Sequence, residues 1–262
     1  MSRALLRSVR HGGRDLHEGR SMSSLVRIAC STVLTLSAAI GVLLGRPGTA
    51  NADGPPRDPV LLIGGIAADE GRLESFRIWL TGQGYTAFSM VLSGNPTGTA
   101  AIPESAQALA GKVAEIRGQT GAARVDLVGH SMGGLAQRYY VKFLGGFDTV
   151  GTYVDYGTPE QGDDLASVCA LVSPGCRDLV PGSDFLTRLN ADPAVPPGLA
   201  AYHFYSESAG AEKNSLPGAV NIGIQSFCPG RTVSHGEEPI DGALRQLIDT
   251  ALRGVPLRTD CP

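Results

Sequence analysis

A Gly-x-Ser-x-Gly motif over residues 129–133 carries the clearest chemical signal in this chain. The short apolar run Val125–Val128 precedes it and a helical pattern from Met132 follows it, which is the order strand, sharp turn, helix. In that order the serine backbone is strained, and glycines are needed where side chains would collide with the neighbouring strand and helix. A chance match among 35 glycines is the alternative. The flanking pattern favours Ser131 as a nucleophile at the carboxyl edge of a sheet.

A serine nucleophile needs a base that accepts its proton and an acid that orients the base. With this motif the chain order is serine, acid, histidine, which leaves His203 and His235 as candidate bases. His203 lies inside an alternating strand pattern and is predicted to be a packed or surface residue of that strand. His235 lies in a polar loop between the last predicted strand and the last predicted helix, so we predict that it is the base. His130, beside the serine, is predicted to pack rather than react.

The acid is expected in the loop that follows the strand ending at Ser206. This loop contains Glu207 and Glu212 but no aspartate. We predict Glu207 as the acid because it follows the strand end directly, with Glu212 as the second choice. Each could equally be a solvated surface carboxylate. A glutamate is able to perform this role.

Two backbone N–H groups are needed to stabilise the oxyanion of an acyl-transfer reaction. One is predicted to come from Met132, the residue after the nucleophile. The other is predicted to come from Ile66, in the turn Gly64–Ala67 that follows the first predicted strand. The alternative is that this turn only ends the strand.

The elements that must position these residues alternate between strands and helices. Strands are predicted at 59–63, 85–92, 124–128, 150–156, 199–206 and 219–225. Helices are predicted at 71–81, 103–119, 132–144 and 239–253, and residues 160–198 are irregular with short helical pieces at 165–171 and 184–190. This alternation predicts an α/β protein with a mostly parallel central sheet, helices on both faces and a minimal cap domain or none.

The first 52 residues are predicted to be a secretory signal peptide with a basic leader. Arg20 and Arg27 precede the apolar stretch 28–44, and cleavage is predicted after Ala52, the end of an Ala-x-Ala site. The stretch is short and contains Ser and Thr, so an uncleaved membrane anchor is the less favoured alternative. Met22 is a second possible start.

The charge balance changes when this leader is removed. Residues 1–52 hold seven of the 22 Lys and Arg and two of the 25 Asp and Glu, so residues 53–262 carry a net charge of −8. No basic run remains, which makes nucleic acid and anionic membranes poor candidate partners. Residues 53–262 are long enough for one domain with a sizeable core. We predict a secreted monomer whose mature chain has no membrane span.

The cysteine pattern fits an exported protein. Cys30 lies in the leader, and the cysteines that remain are Cys169, Cys176, Cys228 and Cys261. An even number suggests two disulfides, with three possible pairings. We favour Cys169–Cys176, which closes a small loop, and Cys228–Cys261, which ties down the tail. A zinc site is the alternative, but there is no Cys-x-x-Cys pair and little histidine nearby, so no metal ligands are predicted.

Further motifs extend the pattern around the serine. They are Val125–Tyr140, Gly157-Thr158-Pro159 with Gly162, Pro181–Leu186 with Leu189-Asn190, Tyr205-Ser206, Ser234-His235 and the paired cysteines. With these motifs, most of residues 57–253 resembles the small secreted bacterial lipases of the α/β-hydrolase fold, in particular the actinobacterial branch of the class 2 lipases. The resemblance implies one α/β-hydrolase domain over residues 53–262. It also implies cofactor-free hydrolysis of carboxylic esters, including acylglycerols, through an acyl-enzyme on Ser131.

The chain departs from that family at two positions. Gly64-Gly65 stands where the family has His-Gly after its first strand, and Ala209 stands where the family usually has its triad aspartate. Either a glutamate has taken over or the triad is impaired. The open alternatives are therefore an acyltransferase or peptidase with the same triad, or a catalytically silent binding domain, because fold and triad do not decide among them.

Overall fold

The computed structural model describes residues 57–262. Its strands are β1 (Val60–Ile63), β2 (Ala87–Met90), β3 (Val125–His130), β4 (Val150–Tyr156), β5 (Ala200–Tyr205) and β6 (Val220–Gly223). Its α-helices are α1 (Glu70–Gly82), α2 (Ile102–Thr120), α3 (Met132–Phe143), α4 (Pro174–Leu179), α5 (Asp184–Asn190) and α6 (Gly242–Leu252). The predicted secretory leader and its cleavage site lie outside the described residues. None of the helices described is both long and apolar enough to cross a bilayer.

All six strands form one parallel sheet in the order β2-β1-β3-β4-β5-β6. Strand β3 lies between β1 and β4, with Gly129 opposite Ile63 on one side and Asp155 on the other. Because the strands are parallel, the loops after their carboxyl ends meet at one edge of the sheet. The predicted α/β architecture with a parallel sheet is confirmed.

Helices cover both faces of this sheet because alternate strand residues point to opposite sides. In β1, Val60 and Leu62 pack with residues of α1 and α6, whereas Leu61 and Ile63 pack with residues of α2 and α3. All four side chains are completely buried. Full burial of such a side chain contributes about 1.5–3 kcal/mol. This alternation produces the continuous apolar run that identified the strand.

In helix α2, the spacing of the apolar residues matches the buried face of the helix. Ala106, Leu109, Val113 and Ile116 recur at three- and four-residue intervals and are all buried against the sheet. The helix ends at Gly121, which adopts a left-handed conformation with φ 72°. Glycine adopts this conformation without a steric penalty.

The segment between β4 and β5 contains more structure than its sequence pattern indicates. Helix α4 was not predicted, although Ser173 accepts a hydrogen bond from the N–H of Cys176 (3.2 Å) and Pro174 occupies its first turn. Ser followed by Pro is a helix-start signal. A 3₁₀ turn at Asp164–Val168 and helix α5 complete the segment, and no separate cap domain is present among the described residues.

Both favoured disulfides are present. Cys169 is joined to Cys176 across seven residues, and Cys228 is joined to Cys261 across 33 residues. A disulfide typically stabilises a fold by about 2–4 kcal/mol, mainly by restricting the unfolded chain. The first holds a surface segment next to α4, and the second ties the C-terminal tail to the turn after β6.

Candidate active site

Ser131 occupies the sharp turn between β3 and α3. Its backbone has φ 56° and ψ −130°, which residues other than glycine rarely adopt. The Ser131 N–H donates to the carbonyl of Tyr156 (3.0 Å), which fixes the turn to the neighbouring strand. A Cβ at Gly133 would lie 2.7 Å from the carbonyl oxygen of Ile63, so only glycine lets the helix start this close to β1. The contact with Ile63 accounts for Gly133 of the motif.

The structure brings together Ser131 and His235, the predicted nucleophile and base. His235 Nε2 lies 3.0 Å from Ser131 Oγ. The imidazole is on the loop between β6 and α6, and 45% of its side chain is exposed, whereas Ser131 is buried. A heavy-atom distance near 3 Å allows direct proton transfer.

The acid position differs from the first choice made on sequence. His235 Nδ1 lies 2.9 Å from Oε1 of Glu212, which is buried. Glu207 is exposed and uses its backbone N–H to bond Gln225 Oε1 (2.9 Å). Ser206 turns inward, donating from Oγ to the carbonyl of Val233 (2.8 Å), and this directs the next residue to solvent. The structure therefore places the second choice, Glu212, against the imidazole and Glu207 away from it.

A second glutamate beside the imidazole was missed on sequence. Glu238 is completely buried, and its Oε2 lies 3.4 Å from His235 Nδ1 and 3.2 Å from His130 Nε2. A Cβ at Gly157 would overlap Glu238 Oε2, so the glycine of the Gly-Thr-Pro motif makes room for this carboxylate. The signal available in the sequence was the spacing His-x-x-Glu in a turn, which places both side chains on one side.

His130 packs, as predicted, but it packs within the site. Its ring stacks between those of Tyr156 and His235, with centroid distances of 4.8 and 4.6 Å. Burial, reinforced by the neighbouring His235, lowers the pKa of His130 to about 3. The ring is therefore neutral near pH 7, and its Nε2–H donates to Glu238.

Glu212 and the His235 imidazole influence each other's protonation. Burial raises the pKa of Glu212 to about 7, with Glu238 adding to the rise and the His235 hydrogen bond opposing it. Burial opposes the charging of His235, but its hydrogen bonds to Glu212 and Glu238 hold its pKa above the ordinary range.

The two predicted oxyanion donors flank the serine. Met132 is the first residue of α3, and Ile66 follows β1 after two glycines. Within residues 57–262, the backbone N–H groups of Ile66 and Met132 donate no hydrogen bond. Both N–H groups therefore remain available to a ligand oxygen.

Two clefts meet at Ser131 and His235. The first, of about 540 Å³, is walled mainly by small and apolar side chains, among them Ile66, Pro159 and Leu179; we call it the apolar cleft. The second, of about 170 Å³, includes Arg72, which bonds Asp69 and the carbonyl of Gly236. The site is thus open on two sides. One side is the apolar cleft, and the other is the smaller cleft that contains Arg72.

A second histidine–carboxylate cluster lies buried between β4, β5 and α3. Asp155, Glu160 and His203 offer atoms within 4.8 Å of one another, a spacing suited to a metal ion. Each carboxylate already has a cationic partner, because Asp155 bonds His203 Nδ1 and Glu160 bonds Arg138. Burial opposes the charging of His203, but Asp155 raises its pKa to about 9. These contacts pair the charges within the protein, and of the two predicted alternatives His203 is the packed strand residue.

Comparison with known proteins finds a matching family model. The model of the family described as Lipase (class 2) matches residues 57–215, a range that includes Ser131 and Glu212 and ends before His235. A triacylglycerol lipase of Burkholderia plantarii is 29% identical over 143 residues, which cover 51% of this chain and 39% of that protein. The match thus spans less than half of that relative's length.

Several solved structures share the fold of this chain. Lipase B of Aspergillus fumigatus superposes with a TM-score of 0.64 at 16% identity, covering 78% of this chain and 54% of the other. The mature lipase BlEst2 of Bacillus licheniformis gives 0.51 at 18% identity, covering 64% and 83%. An α/β hydrolase from a sediment metagenome of the Mar Chica lagoon, MGS-MChE2, gives 0.50 at 14% identity, covering 76% and 90%. At these identities the likeness shows the fold alone, an α/β hydrolase, as predicted.

Proposed function

The chain belongs to the class 2 lipase family, and from that premise we propose that it hydrolyses carboxylic esters through an acyl-enzyme on Ser131. The observation that carries the proposal is the hydrogen-bonded series Ser131 Oγ, His235 imidazole and Glu212 carboxylate, with distances of 3.0 and 2.9 Å. A nucleophile, a base and an orienting acid in that order are the parts that acyl transfer needs.

In the proposed reaction Ser131 Oγ attacks the ester carbonyl carbon while His235 Nε2 accepts the hydroxyl proton. The N–H groups of Ile66 and Met132 stabilise the negative oxygen of the tetrahedral intermediate. The imidazolium then gives its proton to the departing alcohol, leaving the acyl group on Ser131. A water molecule, deprotonated by His235, attacks this acyl-enzyme and releases the carboxylic acid.

Glu212 orients His235 and offsets the positive charge that forms on it. Its carboxylate faces Nδ1, so in the neutral imidazole the Nδ1–H tautomer is held and Nε2 keeps a free electron pair toward Ser131. Glu238 approaches the same nitrogen at 3.4 Å and adds to the negative field. This pair of glutamates stands in for the aspartate missing at Ala209.

The clefts support a proposal for the substrate class. The apolar cleft borders Ser131 and is large enough for an acyl chain. We propose that the acyl chain lies there and that the alcohol portion faces the smaller cleft. Acylglycerol-type esters fit this division.

We further propose that the protein acts outside the cell as a monomer after cleavage near Ala52. Two disulfides are consistent with a secreted protein because such bonds persist in oxidising compartments. The test is mass determination of the protein recovered from culture medium. An intact residue 1–52 segment on exported protein would contradict the cleavage site.

A fluorophosphonate probe together with a soluble p-nitrophenyl ester tests the mechanism. Wild type should be labelled on Ser131 and should release nitrophenol, and Ser131→Ala should lose both. Glu207→Gln is the matched control, because its exposed carboxylate does not touch His235, and it should keep full activity. Folded wild type that neither labels nor hydrolyses would favour a binding domain instead.

A further inference from the structure

The smaller cleft beside Ser131 and His235 contains polar groups that the proposed reaction does not use. Its wall includes Arg72, Asp69 and Tyr156. Apart from the histidines and Ser131, the remaining lining residues are apolar or glycine. Among residues 57–262, Arg72 is the one arginine or lysine that lines either cleft. A few polar groups on an apolar wall are the usual means by which a pocket selects and orients its ligand.

Arg72 is anchored and still has unused donors. Its Nη1 donates to the carbonyl of Gly236, and its Nε lies 3.4 Å from Asp69 Oδ2. Within the described part of the chain, its Nη2 donates no hydrogen bond. A guanidinium carries five N–H groups in a fixed plane. The unused N–H groups of Arg72 are therefore able to donate to oxygen atoms of an ester bound in this cleft.

Asp69 supplies acceptors on the same wall. Its Oδ1 caps helix α1 by accepting from the N–H of Arg72 (3.1 Å), and its Oδ2 is the oxygen closest to the guanidinium. The Asp69 side chain is 60% exposed, so lone pairs of the carboxylate remain for a ligand. A donor and an acceptor side by side match a hydroxyl group, which both accepts and donates.

Tyr156 adds a third polar group. It lines the smaller cleft and is completely buried, and its hydroxyl has no hydrogen-bond partner among the described residues. A buried hydroxyl without a partner costs free energy and is uncommon. A ligand hydroxyl within hydrogen-bond distance would supply the missing partner.

The charges and the size of the cleft favour a compact, neutral ligand. Asp69 offsets the charge of Arg72, and the exposed carboxylate of Glu237 lies within the electrostatic range of the same guanidinium. An anionic group would therefore meet two carboxylates as well as one cation. The cleft has about 170 Å³ and the apolar cleft about 540 Å³, so the smaller cleft suits a small polar group better than a second acyl chain.

We infer that the smaller cleft binds the alcohol portion of the ester as a small neutral polyol, such as the glycerol of a monoacylglycerol, through Arg72, Asp69 and the hydroxyl of Tyr156. The inference rests on the proposed function, because that function supplies the ester and places its alcohol portion in this cleft. A site that hydrogen-bonds the hydroxyl groups of a substrate rejects an analogue that lacks them. The protein should therefore prefer a glycerol ester to an alkyl ester of the same acid.

The test compares 1-butanoylglycerol with propyl butanoate, two soluble esters that share the acyl group and the carbon skeleton of the alcohol. Wild type should cleave the glycerol ester with a kcat/KM that is roughly tenfold higher. Arg72→Met and Asp69→Asn should each bring this ratio toward one, and Tyr156→Phe should lower it by roughly threefold. Asparagine still caps a helix, so Asp69→Asn leaves α1 intact. The matched control is Arg77→Met, on the same helix but lining neither cleft, which should keep the wild-type ratio.

The ratio of the two rates separates recognition of the alcohol from support of the base. Arg72 also contacts the residue that follows His235, so Arg72→Met is able to slow both esters, whereas loss of recognition changes their ratio. A wild-type ratio near one, or a ratio that Arg72→Met leaves unchanged, overturns the inference. So does faster cleavage of 1-butanoylglycerol 3-phosphate than of 1-butanoylglycerol, because Arg72 would then bind an anion. Folded wild type that cleaves neither butanoate ester contradicts the proposed function and overturns the inference with it.

Discussion

Two histidine–carboxylate pairs in this molecule share their chemistry and differ in their surroundings. His235 faces Glu212 with 45% of its side chain exposed and with Ser131 at its other nitrogen. His203 faces Asp155 with neither side chain exposed. A carboxylate raises the pKa of both histidines. The histidine–carboxylate pair alone does not distinguish a candidate catalytic site from a structural one. The difference lies in the solvent access of the histidine and in its third partner, Ser131.

Removing the exposed imidazole of His235 should have the largest effect and is the strongest test of this difference between the two pairs. His235→Gln should lower kcat/KM for a soluble ester by about 10⁴-fold, because within residues 57–262 no other side chain forms a hydrogen bond with Ser131 Oγ. Urea unfolding should show little change in stability. Activity retained within tenfold of wild type would contradict the assignment of the base.

The buried pair should respond in the opposite way. Asp155→Asn leaves His203 without its anionic partner in the core, and we expect the free energy of unfolding to fall by about 3 kcal/mol. The folded fraction should keep its kcat/KM, since the pair lines neither cleft. Urea unfolding and an active-site titration measure the two quantities. A large loss of kcat/KM at unchanged stability would show that the clusters are not separate.

Removing the orienting acid should have a smaller effect than removing the base. Glu212→Gln should lower kcat by about 10²-fold, less than the ~10⁴-fold seen for an equivalent change in a triad with one acid. The reason is Glu238, which lies 3.4 Å from the same nitrogen. Glu212→Gln/Glu238→Gln should lose substantially more than Glu212→Gln alone. Equal losses would exclude sharing between the glutamates.

Glu238→Gln alone should mainly change the pH profile. His235 must be neutral to accept a proton, and Glu238 raises its pKa. Removing that charge lowers the pKa, so the acid limb of kcat/KM should move to lower pH by about one unit or less. The plateau rate should stay within about tenfold of wild type. A shift to higher pH would contradict the sign of the interaction.

The sequence was informative where the signal is local. Apolar runs and three- to four-residue spacing predicted the strands and helices, because a buried strand or helix face requires them. The strand-turn-helix order at Ser131 and the position of His235 before the last helix followed from the same patterns. The structure brings these two residues together.

The acid beside His235 is the point at which the structure differs from the sequence-based prediction. Proximity to the strand end favoured Glu207, but an inward turn at Ser206 and an irregular loop bring Glu212 to the imidazole instead. Glu238 reaches the site through a 3₁₀ turn and the space left by Gly157. The contact of Glu212 with His235 joins segments that are 23 residues apart, and no local pattern in the sequence encodes it. For Glu238, the His-x-x-Glu spacing was the available signal.

The bond between Cys228 and Cys261 has a practical consequence for handling the protein. It closes a ring across 33 residues that includes the imidazole-bearing loop and the final helix. After heating in the absence of thiols, that ring persists covalently, and the loop searches fewer arrangements on cooling. Dithiothreitol during storage would open the ring, and recovery of activity after heating should then fall.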